Sequence, residues 1–86
     1  MAQVWTPEPS EQLAAEIEAA LARPGASHVR PPRPVAHTQR EKTAGWLWGR
    51  LRTDTGWLGL ATLYEGRFFE GAELHWYPAE DLRTLD

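Results

Sequence analysis

The chain has 86 residues, room for one domain near the lower size at which a hydrophobic core sustains a fold unaided. It contains no cysteine, which excludes disulfides, thiolate metal sites and thiol catalysis, and leaves self-association or a partner as the route to extra stability. The formal net charge of −3 hides a segregation along the chain. Residues 1–22 carry Glu8, Glu11, Glu16 and Glu18 with no base, a charge of −4. Residues 23–52 carry Arg23, Arg30, Arg33, Arg40, Lys42, Arg50 and Arg52 against Glu41, a charge of +6. Residues 53–86 carry Arg67 and Arg83 against Asp54, Glu65, Glu70, Glu73, Glu80, Asp81 and Asp86, a charge of −5. A basic middle between acidic ends attracts an external polyanion or folds back on its own flanks.

The opening Met1-Ala2-Gln3-Val4-Trp5 lacks the basic start and apolar run of a secretory signal, and no apolar run approaches the about 18 residues of a membrane span. A cytoplasmic protein without membrane contact is expected. Thr6-Pro7-Glu8 reads as a helix start, with Thr6 as N-cap and Pro7 in the first turn; Ser10 is the alternative cap. Leu13, Ile17 and Leu21 recur every four residues beside Ala14 and Ala20, and Pro24-Gly25 stops the run, which predicts a helix over 7–22. Its stripe needs a cover: the rest of this chain, or a second copy docked through Leu13, Ile17 and Leu21. Residues 24–43 hold Pro24, Pro31, Pro32 and Pro34 with few large apolar side chains, and read as an extended Pro/Arg-rich linker. Within it, Arg30-Pro31-Pro32-Arg33-Pro34 has the PxxP spacing of segments that dock in aromatic grooves; a solvated linker is the plainer reading.

From Ala44 the pattern turns to strands. Residues 44–52 alternate, with Leu47 and Leu51 on one face and Trp46, Trp48, Arg50 and Arg52 on the other. Thr53-Asp54-Thr55-Gly56 is a hairpin connection to a second strand over 57–64. Glu65-Gly66 turns the chain, residues 67–69 form a short third strand or loop edge, and residues 70–72 turn again. Glu73 to Tyr77 is the last clear strand, and residues 78–83 form one helical turn closed by Leu82 and Leu85 packing on the sheet. The expected class is α+β: an N-terminal amphipathic helix (1–23), a linker (24–43) and a Trp-rich antiparallel sheet or barrel of three to five strands (44–86).

Gly45-Trp46-Leu47-Trp48-Gly49-Arg50-Leu51, followed after a short turn by Trp57-Leu58-Gly59-Leu60, resembles the SH3-like small β-barrels, although no Ala-Leu-Tyr-Asp-Tyr segment precedes it. The resemblance implies short bent strands, a single helical turn before the end, and Trp46 or Trp48 as the ring lining a ligand groove. The residues themselves point to binding as well. The rings of Trp46, Trp48, Trp57, Tyr64, Trp76 and Tyr77 exceed what a sheet of this size encloses, and Trp beside Arg is the composition of interface hot spots. The expected partner-binding surface is Trp46, Trp48, Arg50 and Arg52, with Trp57 and Tyr77 at its margin; the competing reading makes these rings a mini-core. A protein or peptide partner comes first. Nucleic acid is the alternative, with basic side chains of residues 23–52 on phosphates and rings stacked on bases. His75 and Glu73 share a strand face and could form an acid–base pair, but no nucleophile motif, phosphate loop or metal-ligand spacing accompanies them. Catalytic residues, metal sites and cofactors are therefore not expected.

Overall fold

In the computed structural model, residues 7–65 and 73–85 are described. Helix α1 (Glu11–Leu21) starts four residues later than the predicted span, with Ser10 as its cap; Thr6 lies outside the described residues. Pro9 disfavours helix in the residue before it, so the first complete turn forms beyond Pro9. There the Ser10 side chain accepts from the Leu13 amide at 3.1 Å. Ala22 caps the other end, and Gly25, at φ +83°, turns the chain into the first strand.

That strand, β1 (Ala26–His37), occupies the segment expected to be a linker. Its prolines are accommodated because the ladder is interrupted where they cluster. Pairing with the next strand skips from His28 to Arg33, so Pro31 and Pro32 have no ladder donor to lose. Pro34 contributes its carbonyl, which accepts from the Leu85 amide at 3.0 Å. Strands β2 (Thr43–Thr53) and β3 (Gly56–Glu65) form the expected hairpin around Asp54-Thr55. Thr53 Oγ1 donates across the turn to the Gly56 carbonyl at 2.8 Å. The expected segment 67–69 lies outside the described residues. Strand β4 (Leu74–Pro78) follows, then a 3₁₀ turn (Ala79–Asp81) and β5 (Leu82–Thr84). The helical turn expected over 78–83 is thus shorter, because Leu82 to Thr84 pair with Val35 to His37.

All pairings are antiparallel and the order is β4-β3-β2-β1-β5. The sheet curls into a half-barrel: Leu82, on one edge strand, reaches across to Gly59 of β3, where an added Cβ would stand 2.6 Å from its Cδ1. Apolar side chains fill both faces. The inner face holds Val29, Val35, Leu47 and Ala61, with Leu63, Tyr77 and Leu82 against them. The other face holds Trp48 and Leu60 beneath Ile17 of α1, with Leu13 and Leu21 packed alongside. Gly49 makes that approach close, since a Cβ there would meet Leu21 Cδ2 at 2.5 Å. Ile17 is 5% exposed, so the helical stripe is already spent on the chain's own sheet. The expected homodimer through Leu13, Ile17 and Leu21 would have to unseat the helix, at the cost of the apolar area it now buries. No helix among the described residues is long and apolar enough to cross a membrane.

Candidate functional site

One residue reorganises the expected binding face. Trp46 pairs with Thr62 and Leu47 with Ala61, but Leu60 pairs with Gly49, so Trp48 is an extra residue, a β-bulge. Alternation therefore slips by one. Trp46, Trp48 and Gly49 lie toward α1, whereas Arg50 joins Leu47 on the inner side and lines a cleft with Leu82 and Gly59. Arg52, two residues on and opposite Trp57, follows Arg50. The expected set Trp46, Trp48, Arg50 and Arg52 is split between the two faces of the sheet.

On the helix side, Trp48 is 7% exposed and its indole Nε1–H donates to Thr62 Oγ1 at 2.9 Å. It is core, not surface. Trp46 is half-buried and stands in the wall of an open groove of about 680 Å³ between the N-terminal end of α1 and the β2–β3 pair. Leu13, Pro34, Tyr64 and Leu85 line the groove with it, and Pro7 and Pro9 form the rim. Its depth follows from the sequence. Ala44 and Gly45 put almost no side chain on the floor, and the Ser10 cap fixes where the Pro7–Pro9 segment crosses. Leu85, expected on the sheet, is 50% exposed at this groove.

On the inner side, the Arg52 guanidinium stands 6.0 Å from the centroid of the Trp57 ring, which is 48% exposed. Arg50 and Trp57 border a cleft of about 150 Å³ that ends at Leu82 and Thr84. Tyr77 belongs to neither place. It packs on the inner core, edge-on to His37 and His75 with centroids 6.2 Å away in each case.

The Tyr77 hydroxyl has its pKa raised, first by burial; Arg40 opposes and Glu65 adds to the rise. A raised folded-state pKa favours the neutral phenol, so this stabilisation is complete below the ordinary tyrosine value of about 10 and is lost as pH climbs through the raised one. Thermal melts taken from neutral to strongly alkaline pH should show a fall in stability that Tyr77→Phe reduces. Equal falls in both proteins would remove Tyr77 as the cause.

The remaining polar clusters are exposed. His75 Nε2 lies 3.2 Å from Glu73 Oε2, and Glu18 Oε1 lies 3.3 Å from His28 Nε2 and 3.6 Å from an Arg30 nitrogen. Arg30 to Pro34 is built into β1, and Pro34 lines the groove instead of lying in it. No group of three or more His, Asp or Glu among the described residues is placed to hold a metal ion. Sequence reasoning missed Pro34, Tyr64 and Leu85 as groove residues. Tyr64 carried a signal, as a ring on a strand end; Pro34 and Leu85 carried none, since pairing distant in sequence brings them there. Comparison with protein-family models, with curated proteins and with solved structures finds no match for this chain.

Proposed function

We propose that this chain is a non-catalytic, SH3-like protein-binding module whose groove between α1 and the β2–β3 pair takes an apolar segment of a partner protein. The observation that carries the reading is the groove's composition: an open concavity walled by Trp46, Tyr64, Leu13 and three prolines. Rigid rings and prolines offer contact area at small entropic cost, the chemistry of peptide-docking surfaces. A peptide library panned against the immobilised protein should enrich apolar sequences. Trp46→Ala should weaken their binding by about thirtyfold, the ~2 kcal/mol of an aromatic hot spot. Enrichment that survives Trp46→Ala would sink the groove as the docking site.

Nucleic acid is the second reading, favoured by Arg50, Arg52 and the exposed Trp57 on one face of the sheet. It ranks lower because, among the described residues, Trp57 is the one exposed ring there, with Asp54 in the adjoining turn. Titration with a single-stranded oligonucleotide separates the two. Salt-steep binding that Arg50→Ala/Arg52→Ala flattens would replace the protein-docking reading.

A further inference from the structure

Two surfaces of this molecule complement each other, and one molecule cannot bring its own pair together. The first is the groove, apolar inside, with Glu8 in its wall and Glu11 exposed one residue beyond the lining Ser10. Glu65, beyond Tyr64, already faces Arg40 at 4.0 Å. The second is the β2–β3 hairpin end, where the Trp57 ring projects with Arg52 over it and Arg50 exposed beside it. Among the described residues, neither arginine has a carboxylate within ion-pair distance. Among the described residues, Trp57 and Leu85 are the large apolar side chains most open to solvent, and they fall one on each surface. Along β2, Arg52 lies eight residues from Ala44 on the groove floor, about 26 Å at the rise of a strand. Any contact between the two surfaces is therefore between molecules.

Resting on the reading that the groove is a protein-docking site, we propose that its occupant is a second copy of this chain. The Trp57 ring of one copy enters the groove beside Trp46, Tyr64 and Leu85 of the next, and Arg50 and Arg52 meet Glu8 and Glu11. Opposite charge fixes the register of the contact, and burial of the ring supplies most of its strength. Two different patches meet, so the contact is heterologous: it propagates into a ring or a string and does not stop at a symmetric dimer. The gain is physical. A chain this short buries a smaller fraction of its surface on folding than a larger domain does, and self-association adds to it without disulfide or metal.

Sedimentation velocity on the full chain, from micromolar to millimolar concentration, tests the contact. The wild-type protein should grow in mass past the dimer. Trp57→Ala and Glu8→Lys/Glu11→Lys, all at exposed positions that leave the core intact, should each weaken association by at least about tenfold. Mixed together they should form a one-to-one dimer that grows no further, because the first keeps a sound groove and the second a sound Trp57. A wild-type protein monomeric at millimolar concentration, or one whose association survives Trp57→Ala, overturns the proposal. If that monomer still binds panned peptides through Trp46, the second copy is removed and the docking groove stands. If it binds none, both fall.

Discussion

Trp48→Ala is expected to lower the unfolding free energy by about 3–5 kcal/mol, the range for emptying a large aromatic site in a core. Trp48 is 7% exposed between Ile17 and Leu60, and its ring joins α1 to the sheet. The loss is a large share of the ~5–15 kcal/mol that holds a typical domain together. The helix should feel it first, because Ile17 and Leu13 lose the surface they cover. Urea denaturation followed by helical circular dichroism measures the effect, and a loss below about 1 kcal/mol would mean that the ring is not packed as described. Trp48→Phe isolates the polar part. It keeps most of the ring and leaves the fully buried Thr62 hydroxyl without its indole donor, at a cost of about 1–3 kcal/mol.

Gly45→Ala should cost at least the upper end of the about 1–3 kcal/mol common for overpacking. A Cβ at Gly45 would run into the Thr62 carbonyl and the Leu63 Cα, both main chain of the paired strand. Nothing there can rotate aside, so β2 and β3 must part or slide. Gly49 and Gly59 set the contrast. Their closest neighbours are the methyl ends of Leu21, Leu82 and Leu47, which can yield. Gly45→Ala should therefore be the most destabilising of the three alanine substitutions, with the largest rise in amide exchange along β2 and β3. Equal losses at the three positions would show that the strands have room at Gly45.

The elements that local chemistry decides were legible in the sequence. The four-residue apolar repeat, a Pro-Gly stop, and a Thr-Asp-Thr-Gly connection between alternating runs each act within a few residues. Each element stands within a few residues of its expected place, the helix being capped by Ser10, the alternative to Thr6. What pairing at a distance decides was not. The prolines of residues 31–34 read as linker because proline density argues against a strand, yet residues 26–37 are held between β2 and the chain's final strand. Leu82 to Thr84 read as the tail of a helical turn, and ladder bonds to residues 35–37 draw them into the sheet. The candidate site suffered most from one slip. Counting alternate residues through Trp48 joins Trp46 to Arg50, and no composition signal marks the bulge that separates them. Trp46 was read as a ring on a strand face too crowded to bury every ring, and it stands half-buried in the groove wall. Its neighbours in the groove come from both ends of the chain.

The bulge also decides how this strand tolerates changes in length. Loss of Trp48 alone would leave every other partner across the hairpin where it stands, Leu47 against Ala61 and Gly49 against Leu60. Loss of a residue at position 50 would instead invert all that follows, carrying Arg52 and the turn to the opposite face. Descendants of this sequence can thus shorten by one in mid-strand at the expense of a ring, whereas the same deletion two positions later would scramble the hairpin.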